Sequence, residues 1–428
     1  MHIETADQAQ LKSAEATLSA RYAELQARGL SLDMTRGKPS PDQLSLSDAM
    51  ESILNGNFKA DDGTDLRNYG GLDGITEAKD LFAQILEVPT DNILIGGNAS
   101  LTLMYQSALY AMHFGLNGAE SAWHNKAAAT PVRFICPVPG YDRHFAICDH
   151  LGIEMLTVPM TDTGPDMDAV EALIDSDPSI RGIWAVPRFS NPTGVVYSDE
   201  TVDRFAQLGK RAHSEFRIFW DNAYAVHTLN ADAPQLKSIW AACEAEGTLD
   251  SVLIFGSTSK VTYAGAGVAF MGASTANLKA LRHHLSFSTI GPDKVNMKRH
   301  TNFLRDMPTY LAHMEKHAAL LRPRFNKVND VLTAELGDDG YAQWHLPQGG
   351  YFISLDTKPG LAQTVVDMAA AAGVKLTPAG ATFPYGKDPA NSNLRIAPSF
   401  PSVADLETAT EVLAVCVKLA TVRQKLNG

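Results

Sequence analysis

Val252-Leu253-Ile254-Phe255-Gly256-Ser257-Thr258-Ser259-Lys260 is an apolar run that ends in hydroxyls and an amine, and Ala264-Gly265-Ala266-Gly267 follows shortly after it. The run reads as a buried strand whose C-terminal end presents a lysine. Two other runs have the same form. Gly182-Ile183-Trp184-Ala185-Val186-Pro187 leads into Asn191-Pro192-Thr193-Gly194, and Arg217-Ile218-Phe219-Trp220 leads into Asp221-Asn222-Ala223-Tyr224. Polar groups therefore gather at the C-terminal ends of three strand-like runs, the edge at which open α/β sheets bind ligands.

Working outward, short β-rich runs alternate with longer helical patterns, which predicts an α/β fold with a mostly parallel sheet flanked by helices. Seven strands are expected, at Ile93 to Ile95, Phe134 to Cys136, Ile153 to Val158, Ile183 to Val186, Ile218 to Trp220, Val252 to Phe255 and Val268 to Met271. Leu101, Met104, Ala108 and Met112 recur at helical spacing just after Gly96-Gly97-Asn98-Ala99-Ser100. A strand, a glycine pair and a helix start make an anion pocket, because unpaired N–H groups and the helix dipole face the ligand. The same residues also suit a plain strand-to-helix turn. After Pro308 a helical segment from about Thr309 to Leu336 precedes Gly349 to Ser354, Val374 to Pro378 and Leu394 to Ala397, the pattern of a smaller α/β domain. The expected division is an N-terminal arm that is part of the small domain (1–48), a large domain (49–308) and a small C-terminal domain (309–428).

Composition narrows the function. The 428 residues carry 36 basic and 48 acidic side chains, a net charge of -12 that repels a phosphate backbone and speaks against nucleic acid as a partner. No apolar run approaches a membrane span, and Met1 to Asp7 lacks the form of a secretory signal. Four cysteines stand without paired spacing, so neither a zinc site nor a disulfide framework is expected. The combined reading is a reduced, cytoplasmic protein.

The chain resembles the class I aminotransferases, fold type I enzymes that use pyridoxal 5'-phosphate. The resemblance runs from about Arg36 to the end and rests on landmarks in order: Tyr69-Gly70 with Gly74, Gly96-Gly97, Pro137 to Tyr141, Asn191 to Gly194, Asp221 with Tyr224, Ser257 with Lys260, and Arg395. Leu32-Asp33-Met34-Thr35-Arg36-Gly37-Lys38-Pro39 and Ile290-Gly291-Pro292-Asp293-Lys294 are similar to a divergent bacterial aspartate aminotransferase subgroup related to MocR-type proteins.

That resemblance implies a role for each residue type. Lys260 would form the Schiff base with the cofactor and then act as the base at the substrate Cα. Asp221 would pair with the pyridinium nitrogen, and Asn191 and Tyr224 would donate to the ring's phenolate oxygen. Tyr141 would stack on the ring. Asn98, Ala99, Ser100 and Ser257, with Tyr69 from a partner subunit, would hold the phosphate, which makes the protein a homodimer with shared active sites. The family's arginine after the lysine is missing here, where Gly265-Ala266-Gly267-Val268 stands, and Lys294 and Lys298 are the substitutes considered. Arg395 would bind the substrate α-carboxylate through its planar fork.

A dicarboxylic substrate needs a second cation. Arg36, beside Gly37 in the segment that covers the substrate in the family, is the candidate, with Lys38 and Arg143 behind it. The expectation is therefore amino transfer between aspartate or glutamate and 2-oxoglutarate or oxaloacetate. The alternatives are 2-aminoadipate, kynurenine or aromatic substrates, a β-lyase, or a cofactor-binding sensor. His313-Met314-Glu315-Lys316-His317 sets two histidines one turn apart, but Glu315 is misplaced for a zinc protease, and a solvated helix face is the expectation.

Overall fold

The computed structural model describes residues 1–124 and 131–427. Its strands are β1 (Leu32–Asp33), β2 (Ile93–Ile95), β3 (Arg133–Val138), β4 (Glu154–Thr161), β5 (Gly164–Pro165), β6 (Ile180–Ala185), β7 (Arg217–Asp221), β8 (Val252–Ser257), β9 (Ala269–Ala273), β10 (Ala342–Trp344), β11 (Ile353–Thr357), β12 (Val374–Lys375) and β13 (Asn393–Ile396). The large sheet has eight strands in the order β2-β9-β8-β7-β6-β3-β4-β5. All seven expected strands lie in it. The eighth, β5, is a two-residue antiparallel return beside β4, too short to leave a periodic signal.

Strands β8, β7, β6, β3 and β4 form a parallel block, and β9 runs against them. Because β3 has β6 on one side and β4 on the other, connections leave in opposite directions there, which opens a crevice at the C-terminal strand ends. β7 and β8 are buried along nearly their whole length, as a central parallel strand with helices on both faces must be.

The 29-residue helix Met307–Glu335 starts where Asp306 accepts a hydrogen bond from Thr309 N at 2.8 Å. Its first turns bury Tyr310 and Met314 against the large-sheet core. Ala318, Leu321, Phe325, Val328 and Leu332 farther along belong to a second core, which also takes Leu11, Leu18 and Leu25 from the helix Gln8–Ala27 and Leu406 to Val422 from the helix Val403–Asn427. The sheet β10-β11-β13 lines this second core, and β1 pairs in parallel with β12, so the N-terminal arm is bound to the C-terminal third of the chain. No described helix is long and apolar enough to cross a membrane.

Candidate active site

Asp221 is the last residue of β7 and is buried. Its Oδ2 lies 2.9 Å from His144 Nε2, and its Oδ1 has no partner. The carboxylate oxygen accepts, so the shared proton sits on the histidine nitrogen. His144, on the helix Asp142–Leu151, is held flat by stacking on Trp184 at 4.3 Å and 9°, with Tyr141 edge-on at 5.0 Å. A buried carboxylate oxygen left unpaired is costly, and a ligand N–H would satisfy it.

Lys260 follows β8 in a single helical turn, in which Val261 N and Thr262 N both donate to Thr258 O. Its Nζ lies 5.0 Å from the Tyr224 ring centre and 5.8 Å from that of Tyr351. Burial holds the Lys260 ammonium below its ordinary range while the Asp221 charge opposes that shift, so the free amine is brought closer to neutral pH. Burial pushes the Tyr224 phenol well up, which keeps it a donor. The Asn191-Pro192-Thr193-Gly194 turn needs its glycine, at φ +75°, and Gly194 N donates to Ser190 O at 2.7 Å.

Arg395 stands on β13, paired with Ser354 of β11, and is buried. Its Nη1 donates to Asp142 Oδ1 at 2.9 Å and to Asn191 Oδ1 at 3.4 Å, its guanidinium covers Phe352 at 4.9 Å, and its Nε has no partner. Gly37 brings the arm to the same place: a Cβ there would meet Phe352 Cζ at 2.4 Å, so only glycine fits. Arg36 beside it is exposed, as is Arg143. Lys38 is engaged elsewhere, with its Nζ 3.9 Å from the Phe400 ring centre.

The helix Ser100–His113 begins at Ala99 without a side-chain cap, so the N–H groups of Ser100 and Leu101 are open to an anion, while Thr102 N donates to Ala99 O. Ser257 Oγ donates to Ser259 Oγ at 3.1 Å, and Ser259 Oγ donates to Asn98 O at 3.3 Å, which joins the hydroxyls after β8 to this helix start. Neither lysine considered as the phosphate's cation is spare. Lys298 Nζ is neutralised by Asp61 and Glu77 at 2.6 and 2.8 Å, and Lys294 Nζ donates to the carbonyls of Asn68 and Gly70 at 2.9 and 2.6 Å. Both are buried rather than solvated. Lys294 thus fixes the loop that carries Tyr69, which is 83% exposed. The cation that lines the cavity beside Gly96, Gly97, Asn98 and Gly265 to Gly267, about 220 Å³, is Arg299.

The structure also corrects the expectation of a solvated His313 and His317. Both are buried, with Nε2 atoms 2.7 and 2.9 Å from Val261 O. Helical spacing shows that two side chains share a face, but not whether another element covers that face.

Sequence reasoning also missed His144, Asp142, Tyr351 and Phe352, which sit against the named residues without a motif of their own. The one available signal was the position of His144, a turn beyond Tyr141 at a strand-to-helix junction.

A family model described as Aspartate amino-transferase matches residues 6–428. The chain belongs to that family. An aspartate aminotransferase of Corynebacterium glutamicum is 45% identical over 408 residues, 95% of this chain and 93% of that protein. A putative aminotransferase of Mycolicibacterium smegmatis is 45% identical over 409 residues, 95% of each. The crystal structure of an aspartate transaminase from Corynebacterium glutamicum superposes with a TM-score of 0.95 at 44% identity, covering 99% of both chains. Membership therefore spans the whole length, and the site lies inside the shared fold.

Proposed function

We propose that the protein is a pyridoxal phosphate dependent aspartate aminotransferase, exchanging the amino group of aspartate or glutamate with oxaloacetate or 2-oxoglutarate. The observation that carries this reading is the Asp221 carboxylate, buried with one oxygen held by His144 and the other unpaired, in the crevice that also holds a lysine of lowered pKa. The residues present fit the cofactor. Asp221 Oδ1 suits a ring N–H, the uncapped helix start with Ser257 suits a phosphate, and Lys260 suits an aldehyde. When bound, pyridoxal phosphate supplies an electrophilic carbon for amines and a ring that takes up the electrons released at the substrate Cα.

The chain's own residues do the rest. Lys260 is the base that holds the proton taken from the substrate Cα. Asn191 and Tyr224 would donate to the ring oxygen of the bound cofactor, and Tyr141 would stack on its ring. Arg395 takes the α-carboxylate in place of Asp142, which fixes the Cα geometry. Gly37, packed on Phe352, closes the side-chain end, with the adjacent Arg36 as the second cation. Asn98, Ala99 and Ser100 would hold the phosphate.

The homodimer reading is supported by Tyr69 with the exposed Phe287 and Ile290, since Gly291 packs against Gly70 and brings these apolar groups to one side. The arm (1–48) and residues 309–428, which share the second core, form the small domain around the large one (49–308). Four free, buried cysteines accord with a cytoplasmic setting.

The test is amino transfer from L-aspartate to 2-oxoglutarate, followed by oxaloacetate formation, in wild type and Lys260→Ala. Turnover that disappears in the folded variant supports the reading. Near wild-type turnover in the variant, or a wild type that uses aromatic donors and not aspartate, contradicts it.

A further inference from the structure

Lys260 sits within a helical turn, begun at Thr258, that is not continued. The chain leaves through Tyr263 to Gly267, and among the described residues no backbone N–H reaches the carbonyls of Lys260 or Val261. Such carbonyls are the orphans of any helix end, and inside a protein they need donors. Here side chains from two separate elements supply them. His227, beyond β7, places Nε2 3.3 Å from Lys260 O. His313 and His317, one turn apart on the helix Met307–Glu335, place their Nε2 atoms 2.7 and 2.9 Å from Val261 O and 3.2 Å from each other. The next residue is held as well, since Thr262 Oγ1 lies 2.8 Å from His300 Nε2 and His300 Nδ1 donates to Asn296 O at 2.8 Å.

The proton positions follow from the partners. Gln43 Nε2 donates to His317 Nδ1 at 3.2 Å and to Tyr351 OH at 2.9 Å, while Gln43 Oε1 accepts from Ser40 N at 3.1 Å. His317 Nδ1 is therefore the acceptor, and its Nε2 carries the proton given to Val261 O. The circuit returns to its origin, because the Tyr351 ring lies 5.8 Å from Lys260 Nζ and His227 meets the same ring edge-on at 5.8 Å. Gln43 also belongs to the arm that carries Arg36 and Gly37, so one network joins the segment over the substrate to the turn that bears the lysine.

We propose that His227, His313 and His317 are positioning residues for the lysine, neutral donors that fix the carbonyls of the broken turn so that the Lys260 amine keeps one reach and direction. This rests on the reading that Lys260 carries the cofactor. Neutral imidazole suits the task. A lysine or arginine in its place would set a second cation beside the Lys260 amine, and a carboxylate has no proton to give. Burial depresses all three rings, His227 to about 3 and His317 to about 4, so the donors stay neutral across the working range.

The experiment compares the cofactor-loaded wild type with His227→Leu, which removes the donor, and His227→Gln, whose amide nitrogen reaches about as far as Nε2. The visible absorption band of the cofactor is titrated with pH, and kcat and KM for L-aspartate are measured alongside. Loss of the donor is expected to move the titration midpoint by about half a pH unit or more and to lower kcat about tenfold, with KM within about twofold. Gln is expected to restore both. Unchanged midpoint and kcat in folded His227→Leu, or His227→Gln no better than His227→Leu, overturn the proposal. Should His227→Leu fail to fold, His227→Asn, whose shorter amide falls short of the carbonyl, takes its place and is judged by the same readouts. A wild type with no cofactor band at all overturns the functional reading itself, which separates the two failures.

Discussion

Acidification should destabilise the cofactor-free protein in a way that can be counted by histidines. His227, His300 and His317 are buried. Burial, with Lys260 the next cause for His227, holds them at about 3, about 4 and about 4, against an ordinary value of 6.5. The folded pKa lies below the unfolded one, so the unfolded chain binds more protons between about 4 and 6.5. The stability is therefore present in full above 6.5 and is lost as pH falls toward 4. From pH 7 to pH 5 each ring accounts for about 2 kcal/mol, and the three together for about 6 kcal/mol. The perturbation is His300→Asn, whose amide can still donate to the Asn296 carbonyl but does not titrate. Urea unfolding at pH 7, 6 and 5 gives the free energies. The variant should lose about 2 kcal/mol less than wild type across that range. Parallel pH profiles for the two proteins would refute the reasoning, because they would mean that His300 does not change protonation on unfolding.

Arg36→Ala should raise KM for aspartate about tenfold or more while leaving KM for alanine within about twofold, since only aspartate has a second carboxylate to lose a charged hydrogen bond. Steady-state kinetics with both donors checks this, and equal effects would remove Arg36 from the side-chain role. Asp142→Asn should lower KM for aspartate and alanine alike by up to about fivefold, because a partly exposed ion pair with Arg395 no longer competes with the α-carboxylate. An unchanged KM would mean that Asp142 does not occupy the arginine in solution.

Much of the sheet was legible because a central parallel strand must be apolar along its length and must end abruptly in polar residues. Val252 to Lys260 and Arg217 to Asp221 show that form in sequence alone. The two-residue β5 left no such pattern. Asp221, Lys260, Asn191 and Tyr224 could be named from their places at strand ends. His144, Asp142, Tyr351 and Phe352 could not, because they meet the site through contacts that are far apart in sequence, such as the stack of His144 on Trp184 and the cover of Gly37 over Phe352. The histidine pair at 313 and 317 was misread for the same reason. Its face is covered by the turn after Lys260, which helical periodicity does not report. Lys294 and Lys298 show the complementary error, since their charge was visible in the sequence and their partners, Asn68, Gly70, Asp61 and Glu77, were not.

The most direct measurement is the visible absorption spectrum of the cofactor-loaded protein before and after addition of L-aspartate without any keto acid. The account predicts that the band of the lysine-bound cofactor gives way to that of its aminated form, with oxaloacetate released in equal amount. A band unmoved by aspartate would contradict it.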